Sequence, residues 1–332
     1  MEQIGEKKWD GREWEIWSGF IGELRQLIPT FTIHDFRIGN GINKYKSVIV
    51  REPYGYVDIG AEVDPVKGVR IPIQVVRKRY EGVVWENFTP KNAILGYDLI
   101  QHYDLLDRVL ETLKAFSERE TKGIVHVTPL TEPESLAAKM EISTYGARIR
   151  IEFLVQNFIY YVDDGAPYAL KVICHNSMDK RIAVRVHLYL YREGTSDIPF
   201  RGFYSRHKPE ELKEGEIERL LGEELMRIAR GDWITATAEK ETVIELSKKY
   251  FDGKWVESIR FILERSGEAG SNRVRLYQVR EKVSKLIADI SELGLQERQE
   301  IKLFYFLHEI DKVLEEEAKE KERQEAQPTL TL

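Results

Sequence analysis

Cysteine is almost missing: Cys174 is the only one in 332 residues. Without a second thiol the chain can form neither an internal disulfide nor a cysteine-built zinc cluster, and a reducing compartment is permitted. Long apolar runs are missing too. Nothing approaches the roughly 20 consecutive apolar residues that cross a bilayer. The opening "MEQIGEKKWDGREWEIW" has no basic segment leading into an apolar one, so it does not read as a signal peptide. A cytoplasmic protein with no membrane partner is expected.

Phosphate-cradling loops are a third absence. No G-x-x-x-x-G-K-[ST] occurs, and no G-x-G-x-x-G follows a strand pattern; Gly39 and Gly41 in "RIGNGINK" read as turn residues. ATPase, GTPase and dinucleotide chemistry are set aside, and no cofactor is expected. Excess positive charge is also lacking. The net charge of -6 gives no global pull toward nucleic acid, so a polyanion site has to be a local patch on an acidic background.

What is present is a chain 42% hydrophobic and 32% charged, as a folded soluble protein requires. Its organisation falls into zones. Residues 1–66 mix Trp, Tyr, Gly and Pro without a long helical period; "IWSGFIGELRQLI" fits a short amphipathic helix, and "SVIVREPYGYVDIGAEVD" fits short strands broken by turns. Residues 67–207 read as strands with one strong helix. In "GYDLIQHYDLLDRVLETLKAF", Leu99, Tyr103, Leu106, Leu110 and Leu113 recur at helical spacing. Strand patterns lie in "VRIPIQVVRKRY", "EGVVWENF", "GIVHVTPL", "ARIRIEFLVQNFIYYV", "YALKVICHN", "RIAVRVHLYLYR" and "FRGFYSRH", with a turn signal at Asp163-Asp164-Gly165. Residues 208–318 read as helices. Pro209 suits a first helical position, and Gly231 ends "EELKEGEIERLLGEELMRIARG". Residues 319–332 read as a flexible tail. The fold class is therefore α+β: a mainly antiparallel sheet crossed by one helix and followed by a C-terminal helical region.

The segment "KRIAVRVHLYLYR" divides with a period of two. Ile182, Val184, Val186, Leu188 and Leu190 share one face, while Arg181, Arg185, His187, Tyr189 and Tyr191 share the other. Guanidinium groups neutralise phosphates, and flat rings stack unpaired bases at about 1–3 kcal/mol each. Arg148 and Arg150 share a face of their own strand; Arg201, Arg206 and His207 crowd "FRGFYSRHK"; Arg77-Lys78-Arg79 closes an earlier strand. Two readings stay open. The face is an open nucleic-acid surface, or it lies under the C-terminal helices with Tyr as core and Arg paired with Glu.

Other constellations are weaker. "FLHEIDK" holds His308, Glu309 and Asp311, but a zinc-protease helix needs two histidines four apart. Asp98 and His102 at that spacing read as a solvated pair. Cys174 and His175 are adjacent, so on a strand they point to opposite faces and make no nucleophile-base pair. Asp58, Glu62 and Asp64 in "VDIGAEVD" are the carboxylates a metal-dependent nuclease or hydrolase would use. No metal site is assigned.

Three short motifs carry a resemblance. "WENFTPKNAILGYDLIQHYDLLDRVLETL" gives an extended segment followed by a helix. "PYALKVICHNSMDKRIAVRV" follows, with Asn176-Ser177-Met178-Asp179, and then "FYSRHKPEELKEGEIERL", with Arg206-His207. Together with the Trp-containing "YFDGKWVESIRFIL", this order over residues 67–285 resembles the phage- and plasmid-like proteins grouped as domain-of-unknown-function family 932. Lys180 stands where that family usually has glycine, and "LYLYREGTSD" replaces its Val-Cys-x-Asn segment. The resemblance implies a mobile-element context, in which nucleic-acid handling is common.

The leading expectation is a non-enzymatic protein that binds single-stranded nucleic acid, of annealing type, through Arg148, Arg150, Arg181, Arg185, His187, Tyr189, Tyr191, Arg201, Arg206 and His207. The alternatives are the carboxylate enzyme above and a structural or protein-binding module. Phe304, Leu307, Ile310 and Leu314 in the last helix suit homo-oligomerisation, or equally an intramolecular bundle.

Overall fold

A computed structural model of the chain describes residues 1–9, 12–38, 43–50, 57–58, 83–86, 100–119, 123–143, 146–162, 167–178, 182–195, 197–205, 211–266, 271–290, 302–310 and 312. The expected strand over 69–80, the turn at 163–165, Pro209, Leu314 and the tail beyond 318 lie outside them.

The main sheet has eight strands. In chain order these are β1 (Glu2–Trp9), β2 (Arg12–Phe20), β7 (Val125–Val127), β8 (Ala137–Ser143), β9 (Arg148–Tyr161), β10 (Pro167–Ser177), β11 (Val184–Tyr191) and β12 (Ile198–Ser205). Neighbouring strands pair antiparallel throughout the described residues, in the order β1-β2-β8-β9-β10-β11-β12, with β7 beside β9. A smaller sheet joins β3 (Phe31–Ile38), β4 (Asn43–Val50), β5 (Val57–Asp58) and β6 (Val83–Glu86). The α+β architecture is as the sequence leads one to expect, with additions. The N-terminal hairpin belongs to the main sheet, so that sheet crosses the zone boundary placed at 66. In "IWSGFIGELRQLI" the first five residues finish β2, and only α1 (Ile21–Leu24) and one 3-10 turn are helical.

Alternation explains the core. From β9, β10 and β11, Ile149, Ile151, Phe153, Val155, Leu170, Val172, Cys174, Val184, Val186, Leu188 and Leu190 turn to one side. There they meet α2 (His102–Ser117) and α3 (Glu216–Arg230) through Leu106, Val109, Leu113, Leu221, Leu225 and Ile228. Each such side chain, fully buried, contributes about 1.5–3 kcal/mol. The helix α2 begins with Asp104 in its first turn and carries Lys114 in its last, both favourable to its dipole.

The C-terminal region has its own core. It comprises α4 (Asp232–Thr235), β13 (Thr237–Glu239), α5 (Lys240–Lys248), α6 (Gly253–Glu264), β14 (Arg273–Arg275), α7 (Leu276–Ile290) and α8 (302–310). Val243, Ile259, Leu263, Val279, Val283, Leu303, Phe306, Leu307 and Ile310 pack together there. The short β13-β14 pair interrupts segments that read as wholly helical. Arg280 of α7 joins this region to the sheet: it is 1% exposed, its Nη1 donates to the Pro199 carbonyl at 2.9 Å, and its guanidinium lies 4.8 Å from the Phe200 ring centre.

Gly231 closes α3 with φ 77°, and a methyl added there meets Ile124 Cγ2 at 2.7 Å. Gly222, inside the same helix, faces open space. Gly231→Ala is expected to cost about 1–3 kcal/mol in urea unfolding. Gly222→Ala should instead add about 0.5–1 kcal/mol. Equal effects would contradict this account of the helix terminus.

Candidate functional site

The opposite face of β9, β10 and β11 carries Arg148, Arg150 and Glu152; Lys171, Ile173 and His175; and Arg185, His187, Tyr189 and Tyr191. Antiparallel register lines them up across the strands. His175 lies between Arg150 and Arg185, Ile173 between Glu152 and His187, and Lys171 between Leu154 and Tyr189. One strand further, Glu141 of β8 stands opposite Arg150. The alternation seen in the sequence thus builds one continuous basic surface from four strands.

That surface is not open along β11. Arg185 is 0% exposed, His187 2% and Tyr189 7%, with Arg148 and His175 also buried. Phe304 of α8 stacks on His187, ring centres 3.7 Å apart and planes 27° apart, and meets Tyr189 edge-on at 5.9 Å. Phe304, Ile173 and Tyr189 form a small apolar cluster separate from both larger cores. The open-surface expectation for Arg185, His187 and Tyr189 is therefore corrected, and the covered alternative holds there. The physical reason is simple: a ring-bearing strand face attracts a phenylalanine as readily as a base. The cover also uses the last helix internally, since Phe304, Leu307 and Ile310 are all buried within the chain, which is the bundle alternative.

Toward β8 and β1 the surface is ionic and partly exposed. Glu141, only 8% exposed at its side chain, is shared by Lys7 at 2.5 Å, Lys139 at 3.3 Å and Arg150 at 3.6 Å. Arg150 also binds Glu152 at 2.6 Å. Lys171 is paired with Asp197 and lies about 5 Å above two rings, 5.2 Å from Tyr189 and 5.1 Å from the half-buried Tyr191. Burial works against the Glu141 carboxylate, yet Arg150, Lys7 and Lys139 outweigh it and hold its pKa below the usual value. Asp197 goes the other way: burial raises its pKa, with Lys171 only partly opposing. For His175 burial is the largest effect, and Arg185, Arg150, His187 and Lys7 add to it, keeping the imidazole neutral well below its ordinary 6.5.

The remaining candidates divide as follows. Arg201 lies in β12 opposite His187, its side chain outside the described residues. Arg181, Arg206, His207, Asp98, Glu62, Asp64 and Asp311 are outside them altogether, as is the Asp58 side chain. Cys174 points into the apolar core, and burial pushes its thiol up to about 12, so it is no nucleophile. His102 is buried, with Nε2 2.8 Å from the Gly146 carbonyl. His308 and Glu309 are half-buried on α8. Among the described residues no three His, Cys, Asp or Glu side chains are grouped to hold a metal ion, and no helix is long and apolar enough to cross a membrane.

Asn176 and Ser177 have a clear local role. Asn176 Nδ2 donates to the Ile100 carbonyl at 2.8 Å, and its Oδ1 accepts from the Ser177 N–H at 2.8 Å. Ser177 Oγ donates to the Ile182 carbonyl at 2.7 Å and accepts from the Ile182 N–H at 3.0 Å. The Ser177 Oγ bonds span the connection between β10 and β11, and the Asn176 bond ties β10 to Ile100, ahead of α2. Lys7, Lys139 and Glu141 escaped the sequence pattern, and Phe304 was legible only as part of the apolar stripe of the last helix, because each joins the face from a distant segment. Lys171 alternates with the strand and was there to be found.

Compared with protein-family models, curated proteins and solved structures, the chain matches none. The resemblance to family 932 rests on its own short motifs.

The folded state binds fewer protons at His175 than the unfolded chain does, so stability should fall as pH drops below about 6.5, by at most about 1.4 kcal/mol per unit. Urea unfolding at about pH 7.5, 6.5 and 5.5 should show this loss in the wild type and a smaller one in His175→Asn. Identical pH slopes would contradict the assignment.

Proposed function

We propose that the protein is a non-enzymatic, phage- or plasmid-like protein that binds single-stranded nucleic acid along the basic face of its main sheet. The observation that carries this reading is the sharing of Glu141 by Lys7, Lys139 and Arg150. Three cations converge there on one carboxylate, and Arg150 reaches Glu152 as well. Arg148, Lys171 and Arg185 extend the cationic side of the same face. A local excess of this kind, on a chain of net charge -6, is what a polyanion site on an acidic protein requires.

The contact is one of backbone phosphates. Lys7 and Lys139 keep 40% and 44% of their side-chain surface exposed, so phosphate oxygens reach them without rearrangement. His187 and Tyr189 lie beneath Phe304 and Arg185 is buried in the same strand, so in this conformation they stack no base. Binding is accordingly sequence-independent and salt-sensitive.

A second reading has its own observation. The Phe304-His187 stack, together with the Arg280 clamp, favours a structural role in which the ionic layer joins the two cores. The carboxylate-enzyme reading has no supporting observation among the described residues.

Fluorescence anisotropy with labelled single-stranded DNA and RNA of about 30 nucleotides tests the proposal. Affinity should fall steeply between about 50 and 200 mM salt. Lys139→Glu should weaken it about tenfold and flatten the salt slope by about one. The oligonucleotide should stay intact with Mg2+ or Mn2+. No binding at low salt leaves the structural role; cleavage restores the enzyme.

A further inference from the structure

The two edges of the main sheet are treated differently. Along β12, Arg280 already donates to the Pro199 carbonyl, and α7 packs against the strand. At the other edge, β1 pairs with β2 alone among the described residues. Its outer side therefore presents a row of backbone N–H and C=O groups. Glu2, Gln3, Ile4, Glu6, Lys7 and Lys8 are exposed, and Ile4 and nearby Phe20 are 53% and 54% exposed.

Proteins usually blunt such an edge with proline, with outward lysines or with a bulge. β1 contains no proline. Lys7 is drawn back over its own sheet, bonded to Glu141 at 2.5 Å and 5.3 Å from the Trp14 ring centre. The irregularity in β1 falls between Gln3 and Gly5, which leaves Gly5–Trp9 in regular register. Over Gly5–Trp9 the edge is long enough to pair, and neither a proline nor a register shift interrupts it.

We propose that a second copy of this chain pairs with β1, antiparallel, about a two-fold axis perpendicular to the sheet at Lys7. Antiparallel pairing about such an axis sets residues opposite one another when their numbers are equally spaced from the axis. Glu6 of each copy then faces Lys8 of the other, giving two opposite-charge pairs across the new ladder. The two Lys7 side chains meet at the axis, each bonded to its own Glu141. The same axis keeps sheet faces on the same side, so the apolar faces of both copies stay covered by their own helices.

Sedimentation velocity on the full chain between about 1 and 100 μM tests this, with far-UV circular dichroism and thermal melts to establish that each variant is folded. The wild type should show a concentration-dependent dimer. Glu6→Lys and Lys8→Glu should each raise the dimer Kd about tenfold or more, since each turns both attractive pairs repulsive. The double variant E6K/K8E should return it to within about threefold of wild type. A monomer throughout the range overturns the proposal. So does a dimer that neither single variant weakens, or a double variant no better than the singles. Hydrogen exchange supplies a second reading without substitutions: amides of residues 5–9 should slow as protein concentration rises, and concentration-independent exchange counts against the pairing.

Discussion

The described fold is arranged around β9, β10 and β11, buried along one side and, at β11, on the other side as well. These strands are covered on one side by α2 and α3 and on the other, along β11, by α8. The first cover is satisfied by apolar side chains, aromatic as well as aliphatic. The second must accommodate Arg148, Arg150, Lys171, His175, Arg185 and His187, and buried charge is tolerable only where it is paired or hydrogen-bonded. Glu141, Glu152 and Asp197 supply counter-charge, and His175 stays neutral, which keeps one more positive charge out of the layer. Phe304 then closes the aromatic end, where stacking on His187 and Tyr189 needs no charge at all.

That division of labour explains why the two halves of the face differ. Near β11 the rings outnumber the carboxylates, and an apolar helix residue is the natural cover. Near β1 and β8 the lysines reach past the sheet into water while their nearest carboxylate sits below them. Among the described residues neither half groups three metal-ligating side chains, and the buried thiol of Cys174 is on the opposite side of the strand from His175.

Much of this was legible in the chain because it is local. The period of two in "RIAVRVHLYLYR" identifies both faces of β11, and the leucine spacing of α2 and the glycine at its close for α3 identify those helices. What was not legible is what depends on distant partners. β1 and β2 sit at the far edge of the sheet, with Glu, Lys and Trp in place of a clear apolar alternation, and "AAKMEIS" is too short and mixed to announce β8. That Phe304 would land on His187, more than a hundred residues earlier, follows from tertiary packing that no window can contain. The candidate cations were recognisable as a group; whether water or a helix lay over them was not.

Asn176 and Ser177 invite a different kind of comparison. Asn176 ties the end of β10 to the Ile100 carbonyl just ahead of α2, while Ser177 Oγ holds both the N–H and the carbonyl of Ile182 on the approach to the next strand. Two adjacent polar side chains thus anchor β10 toward two different neighbours, so the loss of one would loosen the junction with α2 and the loss of the other the passage into β11.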